Sequence, residues 1–255
     1  MKTALFQMDV AWQDNAANLS KAEEWILHRS EDADLVILPE MFNTGFMNNP
    51  ETYAQTMDGE TLTRLKAVSA QSGKAVAGSM VVQERGRFFN RFFFIVPRGK
   101  VYTYDKKHLF RMSEEHDHYS AGKKKIVIEY KDVRILPQIC YDLRFPVWSR
   151  NRENEYDLAI YVASWPASRR YAWDTLLKAR AIENQAYVIG VNRCGADPNV
   201  DYSGGTVLLD FMGQVQAQAE EGRESIVFGE VDPEAVRRFR IKFPAYLDAD
   251  LFQLL

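Results

Sequence analysis

The sequence predicts an α/β protein in which helices cover mixed β-sheets. Short apolar runs rich in β-branched residues recur along the whole chain, as strands do. Patterns with helical spacing separate several of these runs. In the middle of the chain, turns that contain Gly86 and Gly99 join successive runs directly, which is typical of hairpins.

The predicted elements follow in chain order. The strand-like runs are 3–8, 34–38, 75–82, 91–96, 125–129, 133–139, 157–162, 187–191, 205–209 and 225–231. The helical patterns are 19–28, 60–71, 170–185 and 233–240, and Gly73 supplies a stop signal for the second of them. The runs 34–38 and 157–162 resemble each other, which predicts two similar halves. Because no Pro/Gly/Ser-rich linker interrupts the chain, we expect one domain over 1–255.

The composition is typical of a soluble globular protein, with 46% hydrophobic and 26% charged residues among 255. A formal net charge of -3 gives no reason to expect nucleic acid or an anionic membrane as partner. Two cysteines, Cys140 and Cys194, cannot form a disulfide framework, and the apolar run 1–8 is too short for a signal peptide. No run approaches the roughly 18 apolar residues of a membrane helix. We therefore expect a cytoplasmic protein.

Glu40 follows a fully apolar run and a proline. It is either a surface residue that closes the strand or a partly buried acid with a raised pKa. Phe42 and Phe46 favour the second interpretation, because a low-dielectric wall beside a carboxylate tunes a general base towards neutral pH.

Lys106 ends an alternating run that contains Tyr102 and Tyr104. Successive strand side chains point to opposite faces, so Lys106 shares the face of the two tyrosines and Lys107 does not. If that face is the inner one, Lys106 is buried and Lys107 is solvated. A solvated lysine is the ordinary outcome, so position alone does not decide.

Cys140 ends the apolar run 133–139 and is followed by turn-like, charged sequence. A strand that delivers a thiol to a tight turn gives it access and free backbone N–H groups, which acyl chemistry can use. The alternative is a small core residue, since free Cys is often buried. An unperturbed thiol, with a pKa of about 8.5, is only about 3% ionised at pH 7. A nucleophile here therefore needs a base or cation, which Glu40 and Lys106 could supply.

Three segments resemble, in the expected order, the signature segments of the nitrilase, or carbon-nitrogen hydrolase, superfamily. They are Leu38-Pro39-Glu40, 104–109 (Tyr-Asp-Lys-Lys-His-Leu) and 139–146 (Ile-Cys-Tyr-Asp-Leu-Arg-Phe-Pro). The resemblance covers essentially the whole chain and implies a four-layer αββα sandwich, commonly a homodimer, with no cofactor. It also implies Glu40 as general base, Lys106 as oxyanion stabiliser and Cys140 as nucleophile, and we expect the Tyr141 N–H to help hold the oxyanion.

The resemblance extends to a second glutamate, which precedes a glycine that opens the next strand. Glu115, ahead of Gly122, fits this position, and the alternative is an ordinary charged loop. His116 and His118 beside Glu115 also permit a metal site, but their spacing is not specific and we expect no metal. A Cys-His protease built from Cys140 and His108 is a distant alternative, because the papain-type signature is missing.

Arg180 lies on the apolar face of the predicted helix 170–185. Either it is satisfied by buried backbone or a carboxylate, or it binds a substrate carboxylate through a bidentate pair. The preceding loop resembles the pocket-lining loop of the family, so Trp165 is expected to wall the site and Arg169 or Arg170 offer other anion contacts. Phe46 and Tyr141 complete the expected substrate-binding residues.

The segments around Glu40, Cys140 and Arg180 resemble bacterial omega-amidases in particular, although Val147 stands where many relatives have an acidic residue. That resemblance implies hydrolysis of the terminal amide of 2-oxoglutaramate and similar omega-monoamides, through a thioester. A nitrilase, an N-carbamoyl amidohydrolase or a catalytically idle scaffolding member of the same fold is the alternative. The apolar segment 243–255 is expected to dock on the body or on a partner subunit.

Overall fold

In the computed structural model, which describes residues 1–253, the chain folds into two six-stranded sheets with helices outside them. The strands are β1 (Lys2–Gln7), β2 (Leu35–Ile37), β3 (Ala75–Glu84), β4 (Arg87–Ile95), β5 (Val101–Asp105), β6 (Ile128–Tyr130), β7 (Val133–Ile139), β8 (Leu158–Ala163), β9 (Tyr187–Asn192), β10 (Cys194–Ala196), β11 (Asp201–Ser203), β12 (Val207–Leu209), β13 (Val215–Gln218) and β14 (Ser225–Glu230). The helices are α1 (Asn15–His28), α2 (Pro50–Tyr53), α3 (Glu60–Ser72), α4 (Glu115–His118), α5 (Pro146–Ser149), α6 (Arg170–Asn184) and α7 (Pro233–Lys242).

The two sheets have the same pairing pattern. The first runs β14-β1-β2-β3-β4-β5 and the second β6-β7-β8-β9-β12-β13. Counted from β14 in the first sheet and from β6 in the second, successive strand pairs are antiparallel, parallel, parallel, antiparallel and antiparallel. The expectation of two similar halves is confirmed. The similar runs 34–38 and 157–162 form strands β2 and β8, which hold equivalent inner positions in the two sheets.

The two sheets and the helices outside them form four layers, which apolar side chains hold together. One core lies between the sheets and joins residues such as Phe92 of the first to Ile160 of the second. The outer face of the first sheet is covered by α1 and α3, and that of the second by α6. Gly190 lets β9 approach α6 closely, because a Cβ there would lie 2.5 Å from the Leu177 side chain. This arrangement is the predicted αββα sandwich.

Several predicted boundaries need correction. Helix α1 begins before residue 19, because Asp14 caps it through the Ala17 N–H. The predicted strand 125–129 is wrong in its first half, since Lys125 turns away to bind the Arg150 carbonyl and β6 starts at Ile128. Gly73 ends α3 as predicted, in a left-handed conformation with φ +71°.

The C-terminal segment docks in part on the body. The Phe243 carbonyl accepts a hydrogen bond from the Gln185 side chain at 2.8 Å, and Phe252 lies beneath Arg152. Leu251 is exposed, whereas Leu254 and Leu255 lie outside the described residues. Within residues 1–253, no helix is long and apolar enough to cross a membrane.

Candidate active site

Glu40 lies in the loop after β2 and is completely buried. The loop is tied to β3, because the Met41 N–H donates to Ser79 Oγ at 3.0 Å and the Leu38 N–H to the Ala77 carbonyl at 2.8 Å. One carboxylate oxygen of Glu40 accepts from the Ser164 N–H at 2.7 Å, directly after β8. The inner strands of both sheets therefore meet at this carboxylate.

Lys106 follows β5 and is 1% exposed, which agrees with the buried alternative, whereas Lys107 is half-buried and not solvated as that alternative expected. The Lys106 ammonium lies 3.1 Å from Glu40 Oε1 and 2.9 Å from both carboxylate oxygens of Glu115. Asn90 of β4 donates to Glu40 Oε1 at 2.7 Å and lies 3.4 Å from Glu115 Oε1. The four side chains form one buried, hydrogen-bonded group.

Electrostatics keep Lys106 charged. Burial opposes the charge on Lys106, but Glu115 and Glu40 outweigh it and raise the pKa of the ammonium above its usual value. Burial raises the pKa of Glu115, and Lys106 counteracts that rise. Lys106 is therefore a fixed cation and not a proton donor at neutral pH.

Glu115 is completely buried and opens the short helix α4. Its second oxygen accepts from the Phe110 N–H at 2.5 Å, which holds the carboxylate against Lys106. Gly122 does not open the next strand, contrary to expectation, since β6 begins at Ile128. A Cβ at Gly122 would lie 2.0 Å from the Asp105 carbonyl oxygen, and its N–H donates to the Lys106 carbonyl. The glycine is needed for this close approach.

Cys140 begins a 3-10 turn, Cys140–Arg144, at the end of β7. Its φ of +43° lies in the left-handed region, which costs a non-glycine residue energy and is often retained at functional sites. The first N–H groups of such a turn have no acceptor inside it, so the Tyr141 N–H has no partner within the turn. Cys140 is only partly buried and faces a cavity.

Asp142 holds this turn in place. Its buried carboxylate accepts from the Ile139 N–H at 3.1 Å, the His108 N–H at 2.9 Å and the Tyr104 hydroxyl at 2.8 Å. The His108 ring lies 2.8 Å from the same carboxylate. Because Tyr104 and His108 flank Lys106 in the chain, Asp142 links the lysine segment to the cysteine turn.

The surroundings of Cys140 favour the neutral thiol. Burial raises the pKa of Cys140 well above its usual value, the Glu40 charge raises it further, and the Lys106 charge lowers it. The thiol is therefore protonated at neutral pH, and a base must remove its proton before or during attack.

A cavity of about 310 Å³ opens onto these groups. It brings together six of the eight residues that sequence reasoning selected: Glu40, Phe46, Lys106, Cys140, Tyr141 and Trp165. Glu115 lies behind Lys106. The Phe46 ring packs 5.4 Å from the Lys106 ammonium, and Trp165 is fixed by a hydrogen bond from its backbone N–H to Asn192. The cavity can hold a small molecule against the thiol.

Arg180 is the exception and does not line this cavity, so the structure agrees with the first of its two interpretations, in which buried backbone and a carboxylate satisfy it, and not with substrate binding. Its guanidinium donates to the Leu143 carbonyl at 2.6 Å and to Glu183 at 3.0 Å, so it supports the cysteine turn from behind. Arg170 is also directed elsewhere, to Asp174. Arg169 lies on the cavity wall.

The loop considered as a metal site does not assemble ligands. Glu115 points at Lys106, whereas His116 lies 3.5 Å from Asp117. Within residues 1–253, no cluster of three or more potential metal ligands is found. His108 is held by Asp142 and stacked on Phe145 at 3.8 Å, as a structural side chain would be.

Sequence reasoning missed Asn90, Ser164 and Arg144 as parts of the site. Asn90 had a usable signal, because a lone amide within the aromatic run of β4 requires a buried polar partner. Ser164 contributes only its backbone N–H to Glu40, which carries no sequence signal. Arg144 belongs to a recognised motif, but its position on the cavity wall depends on how the turn folds.

Comparisons with known proteins identify relatives of this chain. A family model described as carbon-nitrogen hydrolase matches residues 2–241. Omega-amidase YafV of Yersinia enterocolitica is 46% identical over 256 residues, which cover 100% of this chain and 99% of the relative. The 2-oxoglutaramate amidase of Bacillus subtilis is 33% identical over 95% of both chains. The crystal structure of XC1258 from Xanthomonas campestris, described as a CN-hydrolase superfamily protein with an arsenic adduct in the active site, superposes with a TM-score of 0.97 at 40% identity, covering 100% of this chain and 99% of that one.

Proposed function

The chain belongs to the carbon-nitrogen hydrolase family and hydrolyses amides, and we propose that its substrates are small omega-monoamides of dicarboxylic acids such as 2-oxoglutaramate. The observation that carries the mechanism is that Glu40, Lys106 and Cys140, which come from three distant segments, line one cavity. The names of the relatives support the substrate class.

In the first half of the reaction, Glu40 takes the proton of Cys140 as Sγ attacks the amide carbon. A base is required because the pKa of the thiol is raised. The carbonyl oxygen becomes an oxyanion, which the Lys106 ammonium and the Tyr141 N–H stabilise. Glu40 then returns the proton to the leaving nitrogen, and the carbon–nitrogen bond breaks to release ammonia and a thioester.

In the second half, the Glu40 carboxylate takes a proton from water, whose oxygen attacks the thioester carbon. The same two donors hold the second oxyanion. The carbon–sulfur bond breaks, the thiolate of Cys140 regains its proton through Glu40, and the dicarboxylic acid leaves. Because the cycle needs a free thiol, we place the enzyme in the reducing cytoplasm.

An ammonia-release screen tests the substrate class. We expect 2-oxoglutaramate and glutarate monoamide to be hydrolysed with higher kcat/KM than an aliphatic nitrile or an N-carbamoyl amino acid. Preference for the nitrile would replace the omega-amidase assignment while keeping the mechanism. An inert protein across the whole panel would instead support a scaffolding role.

We also propose that the enzyme is a homodimer. Three apolar side chains near the C-terminal end of α6 are at least half exposed: Ile182, Met212 and Phe243. Ile182 of α6 lies against the turn that contains Gly213, and Phe243 is tied to the end of α6 through Gln185. Exposed apolar side chains grouped in this way support an interface between subunits. Light scattering should give twice the chain mass for the wild type and the chain mass for Ile182→Asp, and a monomeric wild type would exclude the dimer.

A further inference from the structure

Asn90 lies in the middle of β4, where its side chain is 1% exposed. Its main-chain carbonyl accepts a hydrogen bond from the Lys106 N–H at 3.0 Å, so the residue sits directly beside the buried lysine. The reaction steps at the amide carbon do not use its side chain. A buried amide nevertheless needs polar partners, and those of Asn90 lead to the base.

The contacts of Asn90 fix which way its amide points. Ser79 Oγ of β3 accepts from the Met41 N–H at 3.0 Å, so its hydroxyl proton is available for Asn90 Oδ1, which lies 3.0 Å away. The amide nitrogen then faces two carboxylates, at 2.7 Å from Glu40 Oε1 and 3.4 Å from Glu115 Oε1. The reverse orientation would set the amide oxygen against two carboxylate oxygens and leave them short of a donor.

The two oxygens of the Glu40 carboxylate are occupied unequally. Oε1 accepts from Asn90 at 2.7 Å and from the Lys106 ammonium at 3.1 Å. Oε2 accepts one hydrogen bond, from the Ser164 N–H at 2.7 Å. Because a carboxylate oxygen has two lone pairs, Oε1 is filled and the remaining acceptor position lies on Oε2.

The thiol of Cys140 lies within reach of this carboxylate. Burial, the Glu40 charge and a hydrogen bond to Glu40 all raise the pKa of Cys140. Four other titratable side chains interact electrostatically with Glu40: Lys106, Glu115, Tyr119 and Tyr202. Burial raises the pKa of both tyrosines, so they stay neutral while the carboxylate titrates.

We propose that Asn90, oriented by Ser79, is a positioning residue that keeps Glu40 Oε1 occupied, so that Oε2 takes the proton of Cys140. This inference rests on the proposed function, because it requires Glu40 as the base. As the Sγ–carbon bond forms, the proton moves from Sγ to Oε2, and it passes to the leaving nitrogen as the carbon–nitrogen bond breaks. Oε2 then takes the proton of the attacking water and returns it to Sγ.

The test compares two variants of this relay with one control. Asn90→Leu keeps the size of the side chain without its donor, and Ser79→Ala removes only the orienting hydroxyl. Ser69→Ala is the matched control, because Ser69 is also buried but donates to the Lys74 carbonyl at 2.7 Å, away from the cavity. Circular dichroism shows which variants fold.

Amide hydrolysis gives the first readout. With 2-oxoglutaramate, we expect Asn90→Leu to lower kcat by about 10- to 100-fold with little change in KM, and Ser79→Ala to lower it less. Donors to a carboxylate favour its charged form, so the acidic limb of the kcat/KM profile should move to higher pH by about one unit in Asn90→Leu. Ser69→Ala should keep the kcat and the pH profile of the wild type.

Difference infrared spectroscopy of the substrate-free enzyme gives a second readout, which does not depend on the choice of amide. The carboxyl band of protonated Glu40 is identified by its loss in Glu40→Gln. It should appear at higher pH in Asn90→Leu than in the wild type or in Ser69→Ala. A side chain that only fills space would leave this band where it is.

The outcomes separate this inference from the proposed function. If Asn90→Leu keeps the kcat and the pH profile of the wild type, or loses activity through KM alone, the role of Asn90 is overturned while the amidase remains. Should Asn90→Leu fail to fold, Ser79→Ala decides, and a wild-type kcat with an unmoved Glu40 band again overturns it. If the wild type releases ammonia from none of the amides, the proposed function fails and the assigned proton transfer fails with it.

Discussion

The two sheets have the same order of parallel and antiparallel pairings, yet the side chains that follow their strands are held very differently. The first sheet contributes Glu40, Asn90 and Lys106, which are buried and fully hydrogen-bonded. The second contributes Cys140, which is partly exposed and sits on a turn with left-handed backbone.

In the proposed mechanism, reactivity arises only where the two halves meet. The first half holds charges rigidly but carries no proposed nucleophile. The second half carries the proposed nucleophile, Cys140, and burial raises the pKa of its thiol well above the usual value, so it needs a base from the first half. Glu40 contacts the Ser164 N–H after β8, and Asp142 binds Tyr104, so both halves fix each other's reactive loops.

Replacing Lys106 should have the largest effect of the first-half changes. Lys106→Met removes one oxyanion donor, and we expect kcat/KM for 2-oxoglutaramate to fall by about 10²- to 10³-fold. Lys107→Met is the matched control, since Lys107 packs over Trp148 away from the carboxylates. Circular dichroism shows whether both variants fold, because unpaired carboxylates are costly when buried. Equal activity of the two variants would contradict the proposed role of Lys106 as an oxyanion donor.

Replacing Glu115 should have a smaller effect. Glu115→Gln removes one of the two carboxylates that hold the Lys106 ammonium, and we expect kcat to fall by about 10- to 100-fold with little change in KM. The neighbouring Glu114 is exposed, so Glu114→Gln serves as control. Wild-type kcat in Glu115→Gln would reduce Glu115 to a structural residue.

The coupling between halves predicts a shift in the pH dependence of Cys140 alkylation. The Glu40 charge raises the pKa of the thiol, so Glu40→Gln should lower that pKa, while the Lys106 charge continues to favour the thiolate. Iodoacetamide should therefore react with Cys140 at lower pH in the variant than in the wild type. Mass spectrometry of the modified peptide measures the profile. A shift to higher pH would mean that Glu40 does not act on the thiol in this way.

The smallest effect is expected for Tyr104, whose hydroxyl links the lysine segment to Asp142 in the cysteine turn. Tyr104→Phe removes the hydroxyl that donates to Asp142 and accepts from the Trp148 indole at 3.0 Å. We expect the free energy of unfolding in urea to fall by about 1–2 kcal/mol and activity to fall only a few-fold. Tyr102→Phe is the control on the same strand, because in the described part of the chain its hydroxyl makes no hydrogen bond. Equal losses in the free energy of unfolding for the two variants would contradict the stabilising role of the Tyr104 hydroxyl.

Much of this arrangement is predictable from local patterns in the sequence. Alternation together with the family resemblance selects Lys106, which is buried, although Lys107 is half-buried where a solvated side chain was expected. The apolar runs give the inner strands of both sheets. The turns at Gly86 and Gly99 correctly predict the β3–β4 and β4–β5 hairpins.

Other parts depend on contacts between distant segments. An arginine on the apolar face of a helix looks the same in the sequence whether its side chain binds substrate or the Leu143 carbonyl. Only the packing of α6 against the cysteine turn determines which of the two it contacts. The backbone contact of Ser164 with Glu40 leaves no trace in the residue type. The left-handed conformation of Cys140 is likewise imposed by the tertiary structure, since local preference opposes it.

Ammonia release from 2-oxoglutaramate by Cys140→Ala and by Cys194→Ala tests most directly whether the thiol at the junction of the two halves is the nucleophile. The chain has two cysteines, and Cys194 is buried away from the cavity wall, so it is a matched control. We expect no enzymatic ammonia release from Cys140→Ala and activity close to that of the wild type from Cys194→Ala. Undiminished release from Cys140→Ala would contradict the mechanism.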